Sequence, residues 1–184
     1  MEASDVPGDL TRVLVSEADI RSKLAELARQ IEVDYAGDRP LLVGVLKGAV
    51  MVMADLAREL RMHVDMDWMA VSSYGAGTQS SGVVRILKDL DSDLSGRRVL
   101  IVEDIIDSGL TLSWLQANLA SRGAASVEIC ALLRKPDAAK VDVHVNYLGF
   151  DIPNDFVVGY GLDYAQSYRN LRDVAILAPY VYED

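Results

Sequence analysis

Three closely spaced acids are the first residues whose types suggest chemistry. Glu103, Asp104 and Asp107 lie within five residues, in the stretch RVLIVEDIIDSGLTL that covers residues 98–112. Carboxylates this close repel one another, and they would repel a phosphate, unless they meet sugar hydroxyls or a hard divalent cation such as Mg2+. The spacing therefore predicts a site that takes a sugar together with a metal ion.

A loop of small residues follows the acids and leads into a helix. Ser108, Gly109 and Thr111 precede leucines at helical spacing, at positions 112, 115 and 119. The free N–H groups at a helix N-terminus, the two hydroxyls and the helix dipole all suit a phosphate group. Each feature alone is better explained by a turn or a helix cap, whereas the combination favours a binding site.

Apolar runs define the elements that must position these residues. Residues 99–102 are apolar without alternation, which is typical of a strand buried on both faces of a parallel sheet. Similar runs at residues 41–46 and 126–133 precede Lys47 and Lys135, and helical patterns alternate with the strands. This order predicts an α/β fold with a parallel, doubly wound sheet whose ligands bind beyond the carboxyl ends of the strands. We expect the 184 residues to form one domain.

Two other segments have a recognisable pattern. Residues 64–72 and 83–87 predict two partner strands joined by SSYGAGTQSSG, which is either a plain hairpin connection or a lid that excludes water from the site. Residues 141–145 alternate valine with polar residues, which predicts a half-exposed strand.

Composition excludes several classes of protein. The net charge is −10 and the basic residues form no block, which disfavours a nucleic-acid binder. The single cysteine, Cys130, lies in an apolar run and is predicted to be a buried structural thiol. His63 and His144 have no second ligand at metal-binding spacing. The N-terminus lacks the pattern of a secretory signal and no run approaches the ~20 apolar residues of a membrane span, so we expect a cytoplasmic protein without a membrane partner.

Two blocks of sequence carry a family resemblance. VEDIIDSGLT, residues 102–111, resembles the phosphoribosyl-pyrophosphate (PRPP) signature of the type I phosphoribosyltransferases, and its Ile105-Ile106 pair resembles the hypoxanthine-guanine branch. YLGFDIPNDFVVGYGLDYAQSYRNL, residues 147–171, is similar to a second block of that family. The resemblance implies a purine-salvage enzyme that transfers the 5-phosphoribosyl group of PRPP to hypoxanthine or guanine. The products would be IMP or GMP and pyrophosphate, with Mg2+ as cofactor.

The resemblance implies roles for the sugar and phosphate contacts. Glu103 and Asp104 would hold the ribose hydroxyls, the same two acids and Asp163 would be associated with the metal, and Asp107 would be the general base that takes the proton from N7. The 5′-phosphate loop would consist of Asp107, Ser108, Gly109, Leu110 and Thr111. Leu110 departs from the pattern, since some relatives carry lysine there. Because the loop donors are mainly backbone amides, we expect this change to tune affinity rather than abolish it.

The resemblance also implies roles for residues outside the motif. The pyrophosphate contacts would be Lys47, Gly48 and Arg169, and the Leu46–Lys47 peptide is the candidate for a cis bond. The lid residues would be Ser73 and Tyr74. The purine contacts would be Lys135 at the six-position oxygen, Phe156 stacked on the ring and the backbone of Val157.

The family also suggests an assembly and two alternatives. The fold would carry a small hood built from N-terminal residues and the region after about residue 140, and the enzyme would be a homodimer or homotetramer. One alternative is a PRPP-binding regulator of the same fold that binds RNA or DNA and should have a basic face. The other is a phosphoribosyltransferase for xanthine or a pyrimidine.

Overall fold

The computed structural model describes residues 1–74 and 83–183. In chain order the elements are β1 (Leu10–Val15), α1 (Glu17–Asp34), β2 (Leu41–Leu46), α2 (Val50–Glu59), β3 (Asp65–Tyr74), β4 (Val83–Lys88), β5 (Arg98–Ile106), α3 (Leu110–Ser121), β6 (Ser126–Arg134), β7 (Tyr147–Asp151), β8 (Val157–Val158), β9 (Val174–Leu177) and α4 (Pro179–Tyr182).

The main sheet has six strands in the order β4-β3-β2-β5-β6-β7. Every neighbouring pair from β3 to β7 is parallel, while β4 pairs antiparallel with β3 at one edge. The predicted parallel, doubly wound sheet is therefore confirmed for five strands, and the sixth is the antiparallel partner that residues 83–87 predicted. An antiparallel edge strand is common on sheets of this kind.

The two faces of the sheet bury alternate residues of each central strand. Leu100 and Val102 of β5 belong to the core that also contains the apolar faces of α1 and α2. Val99 and Ile101 belong to the core beneath α3. Because side chains alternate across a strand, an unbroken apolar run is what a strand covered on both sides requires. Ser16 caps α1, since its side chain accepts a hydrogen bond from the Asp19 N–H, which supports the start that the sequence predicted.

The prediction of a strand at residues 141–145 is wrong. The predicted alternation is present, with Val143 and Val145 against the core under α3 and Asp142 and His144 exposed. Within the part of the chain that the structure describes, however, the segment pairs with no strand. Its first residues bond to the loop before α3 instead, because the N–H of residue 141 donates to the Ser108 carbonyl at 3.4 Å. Strand pairing with β6 begins only at Tyr147.

A second sheet contains β1, β9 and β8, in that order, and joins the start of the chain to its last third. This is the arrangement that the predicted hood requires, and the hood stays a prediction. Residues 147–151 lie in the main sheet, because β7 pairs with β6. No helix within the described residues is long and apolar enough to cross a membrane. Cys130 is buried, as predicted, and burial raises the pKa of its thiol to about 12.

Candidate active site

The carboxyl edge of the main sheet brings several predicted site residues together. β2 and β6 flank β5 on either side, and both run parallel to it. The loops that leave these three strands therefore meet at one edge. Lys47 follows β2, Asp107 follows β5 and Lys135 follows β6.

Asp104 lies beneath the loop that follows β2. Its side chain is buried, and its Oδ1 accepts a 2.8 Å hydrogen bond from the Ile105 N–H. Gly48 approaches so closely that a Cβ at this position would overlap the Asp104 carboxylate. A Cβ on Gly161, whose φ is +102°, would in turn overlap the Gly48 carbonyl oxygen. Three segments that are far apart in sequence thus close on one carboxylate.

The two neighbouring acids of β5 are in surroundings that disfavour their charged forms. Burial raises the pKa of Asp104 to about 6, although the Ile105 N–H and the Arg169 charge both favour the ionised form. Glu103 is half-buried, and desolvation together with the charge of Asp104 raises its pKa well above the ordinary range. A ligand that supplies hydroxyl donors or a cation would offset this cost at both acids.

A cavity of about 140 Å³ lies at the N-terminus of α3. Its lining includes Glu103, Asp107, Ser108, Gly109 and Thr111. The predicted phosphate loop therefore lines a cavity at a helix N-terminus. Glu103, one of the two acids predicted to bind ribose, lines the same cavity.

The conformation of the loop depends on Gly109. This residue is the N-cap of α3 and has φ +77°, a left-handed conformation that side chains with a Cβ rarely adopt. A Cβ there would also approach Val143 at 3.1 Å.

Asp104 is not among the residues that line the cavity, because it faces Gly48 instead. The three acids of the motif are thus divided between the cavity and the Gly48 side.

Asp107 and Lys135 face each other across the ends of β5 and β6. The Lys135 Nζ lies 3.7 Å from the Asp107 Oδ2, and the backbone N–H of Lys135 donates to the Ile106 carbonyl at 2.9 Å. The lysine side chain is only 10% exposed, whereas that of Asp107 is 60% exposed. A buried cation thus stands beside an accessible carboxylate, which is free to receive a proton from a ligand.

Lys47, Arg169 and Asp163 form a charged cluster over Gly48. The Leu46–Lys47 peptide is cis, as predicted. The Lys47 Nζ donates to the Gln166 Oε1 at 3.2 Å, and the Arg169 Nη2 lies 3.4 Å from the same oxygen. Arg169 also pairs with Asp163 at 2.7 Å and donates to the Gly161 carbonyl at 2.7 Å. Two cations therefore converge on one amide oxygen.

The predicted purine residues lie at the second sheet. Phe156 precedes β8 and is 38% exposed, and its carbonyl accepts a 2.9 Å hydrogen bond from the Leu177 N–H. Val157 is 7% exposed and pairs with Ile176 of β9. The phenyl ring thus offers surface to a ligand while its backbone is fixed by the sheet.

The predicted lid lies largely outside the described residues. Ser73 and Tyr74 end β3, where their backbones pair with β4. Their side chains and residues 75–82 are not part of what the structure describes.

Comparison with known proteins identifies the family of the chain. Residues 15–165 match the family described as "Phosphoribosyl transferase domain". The chain belongs to the phosphoribosyltransferase family.

Several relatives of this phosphoribosyltransferase carry a more specific name. A protein of Mycobacterium tuberculosis named hypoxanthine-guanine phosphoribosyltransferase is 56% identical over 183 residues, covering 96% of this chain and 91% of that protein. A protein of the same name from Bacillus subtilis is 50% identical over 175 residues, covering 95% and 97%. A solved hypoxanthine phosphoribosyltransferase from Staphylococcus aureus superposes with a TM-score of 0.95 at 44% identity, covering all of both chains.

Sequence reasoning missed two residues of this phosphoribosyltransferase site. Gln166 accepts from both Lys47 and Arg169, and Gly161 packs on the backbone of Gly48. The only signal for either is its place in the second block of resemblance. Both depend on the unusual backbone of this segment, where Gln166 itself has φ +68°.

The raised pKa of Asp104 predicts a specific effect of pH on stability. The pKa of Asp104 is about 6 in the folded protein, whereas the ordinary value of an aspartate, which applies to the unfolded chain, is 3.8. The folded protein therefore binds this proton more tightly. Stability from this group is therefore fully present below pH 4 and is lost as the pH rises to about 6. We expect Asp104→Asn to gain up to about 3 kcal/mol of unfolding free energy relative to the wild type between pH 4 and 7.

Urea unfolding of both proteins at several pH values, with a chelator present, measures this difference. Asp142→Asn is the matched control, because the Asp142 side chain is exposed. A difference between Asp104→Asn and the wild type that stays constant across this pH range would contradict the prediction.

Proposed function

We propose that this phosphoribosyltransferase acts in purine salvage as a hypoxanthine-guanine phosphoribosyltransferase. It would transfer the 5-phosphoribosyl group of PRPP to a 6-oxopurine and release pyrophosphate. The observation that carries the proposal is the cavity in which Glu103 and Asp107 share the N-terminus of α3 with Ser108 and Thr111. The names of the relatives that match nearly the whole chain support the same substrates. The alternative of an RNA- or DNA-binding regulator finds no support in them.

The sugar phosphate would be held from two sides. The 5′-phosphate would accept hydrogen bonds from the loop of Ser108, Gly109, Leu110 and Thr111, with the helix dipole favouring its charge. Glu103 and Asp104 would accept hydrogen bonds from the ribose hydroxyls. Such charge-assisted bonds are short and directional, so they would fix the sugar for attack at its anomeric carbon.

The leaving pyrophosphate would lie against Lys47, the amide of Gly48 and Arg169. The Gln166 Oε1 now accepts from both cations, at 3.2 and 3.4 Å, and a pyrophosphate oxygen would take its place. The buried Arg169 Nε has no acceptor within the part of the chain that the structure describes, which leaves a donor to be satisfied. These donors would stabilise the charge that develops as the anomeric C–O bond breaks.

The acids on this side fit a magnesium ion. No group of three or more His, Cys, Asp or Glu side chains is arranged to hold a metal among the described residues. Proteins commonly bind Mg2+ through one or two carboxylates together with substrate phosphates. Asp163 is close enough for its charge to raise the pKa of Asp104, so these two carboxylates and Glu103 are the proposed set. When bound, Mg2+ would neutralise charge on the pyrophosphate.

The base would bind between the two sheets' edges. Phe156 would stack on the purine ring, the Val157 backbone would read its edge, and Lys135 would donate to the six-position oxygen. Asp107 would accept the proton from N7 as the base attacks the sugar, which is general-base catalysis. The Lys135 Nζ lies 3.7 Å from this carboxylate.

A direct assay tests the proposal. Purified protein is mixed with PRPP, Mg2+ and one of hypoxanthine, guanine, xanthine or uracil, and nucleotide formation is followed by absorbance and pyrophosphate release. We expect product from hypoxanthine and guanine and none from uracil. Turnover confined to xanthine or uracil would identify a different substrate class. Failure to form nucleotide with any of the four bases would overturn the proposed activity.

The close packing of Gly48 on Asp104 gives a further prediction. The methyl group of Gly48→Ala would overlap the Asp104 carboxylate and force the loop or the acid to move. Overpacking of this kind costs about 1–3 kcal/mol, so we expect PRPP affinity to fall roughly tenfold or more, measured by calorimetry. Gly96→Ala is the control, because it strains the backbone at φ +70° without meeting another atom. Unchanged PRPP affinity in Gly48→Ala would contradict the prediction.

Assembly and compartment are further parts of the proposal. We expect a homodimer or homotetramer, which light scattering measures, and a cytoplasmic location, which fractionation measures.

A further inference from the structure

An aromatic cluster surrounds the ring that is proposed to stack on the purine. Tyr182 lies parallel to Phe156, with ring centroids 4.9 Å apart and planes 25° apart. Tyr164 meets the Phe156 ring edge-on, with centroids 5.9 Å apart and planes at 87°. Phe156 nevertheless stays 38% exposed. One face of its ring is therefore covered by Tyr182, and the remaining exposed surface is what a base can use.

Tyr182 is well placed to fix the ring rather than to bind ligand itself. It belongs to α4, which follows directly on β9, and it packs against the small core formed by Val158, Leu171 and Leu177. The Leu177 N–H bonds to the Phe156 carbonyl at 2.9 Å, so backbone and ring of Phe156 are both held by the end of the chain. Tyr180, two residues earlier, points elsewhere and is 69% exposed.

We propose that Tyr182 is a positioning residue for Phe156, whose stacked ring holds the phenyl group in the orientation that accepts a purine. The inference rests on the proposed function, since it assigns the purine to the exposed face of Phe156. Without Tyr182, the phenyl ring of Phe156 would lose rotamer freedom on stacking with the base, and this entropy cost would weaken binding. A ring that is already stacked on Tyr182 has lost that freedom before the base arrives. The consequence is confined to the base, because the PRPP contacts lie at the edge of the main sheet, apart from Arg169, which bonds to Gly161 and Asp163 rather than to the aromatic cluster.

The test separates purine binding from PRPP binding in four variants. Tyr182→Ala removes the ring, Tyr182→Leu keeps apolar bulk without stacking, and Tyr182→Phe keeps the stack. Tyr180→Ala is the matched control on the same helix. For each variant, KM is measured for hypoxanthine and for PRPP, and IMP binding is measured by calorimetry.

We expect Tyr182→Ala and Tyr182→Leu to raise the hypoxanthine KM about 3- to 10-fold, in line with the strength of an aromatic pair. IMP affinity should fall by a similar factor, while the PRPP KM should stay within about twofold. Tyr182→Phe and Tyr180→Ala should resemble the wild type.

Two outcomes would overturn the inference. Wild-type values in both Tyr182→Ala and Tyr182→Leu would mean that the stack does not position Phe156. Equal losses for hypoxanthine and PRPP would mean that Tyr182 only supports the fold. A wild type that turns over no purine would instead refute the proposed function, so the two failures are distinguishable.

Discussion

Replacement of Asp107 by asparagine is expected to lower kcat by about two to four orders of magnitude, the usual cost of losing a positioned general base. Asp107 is 60% exposed at the end of β5, beside the nearly buried Lys135 at 3.7 Å. Asparagine keeps the shape of the side chain but cannot accept the N7 proton. Because the remaining phosphate-loop donors are unchanged, the KM for PRPP should move far less than kcat. Steady-state kinetics with hypoxanthine measure both constants.

The matched control for this prediction is Asp142→Asn. It removes the same charge from an exposed acid in the segment that packs beside the loop before α3, without touching a proposed contact. It should leave kcat within about twofold of the wild type. A turnover number in Asp107→Asn that equals that of Asp142→Asn would remove Asp107 from the role of base.

Glu103→Ala should act on binding instead of turnover. Its carboxylate lines the cavity at the start of α3, where it would accept from the ribose hydroxyls of PRPP. A hydrogen bond to a charged group contributes about 1.5–3 kcal/mol. PRPP affinity should therefore fall roughly a hundredfold when the hydrogen bonds from two ribose hydroxyls to Glu103 are lost. Calorimetry with the magnesium salt of PRPP measures the change.

The base offers an internal control for Glu103→Ala. Hypoxanthine would bind at Phe156 and Lys135, so the affinity of the variant for IMP should fall only through its ribose contacts. Glu103→Gln, which can still accept from a hydroxyl, should retain part of the PRPP affinity. Equal PRPP binding by Glu103→Ala and the wild type would exclude the ribose role.

Most of the main sheet could be predicted from the sequence because its strands are buried on both faces. The run at residues 41–46 coincides with β2, and the acids that follow residues 99–102 lie at the carboxyl end of β5. Local pattern is sufficient here, because a short, unbroken apolar run between turns is typical of a strand that is buried on both faces of a sheet. The cavity at α3 follows from the same reasoning, since a strand, a glycine and a helix start are adjacent in the chain.

The remainder of the site depends on contacts that no local pattern encodes. The strand predicted at residues 141–145 shows the limit, because alternation sets which valines face the core but does not supply a partner strand. The positions of Gln166 and Gly161 arise from a segment with several left-handed residues, folded back onto Gly48. Tyr182 meets Phe156 only because β9 and β8 pair.

The raised pKa values of Glu103 and Asp104 have a practical consequence for inhibitor discovery. Both acids release protons when a ligand binds their ionised forms. Because binding is then linked to proton release, the rise in melting temperature caused by a compound that engages these acids should grow as the pH increases. A compound that contacts only Phe156 should give a shift without this pH dependence. Differential scanning fluorimetry at several pH values would thus sort screening hits into sugar-phosphate mimics and nucleobase mimics before any co-crystal is grown.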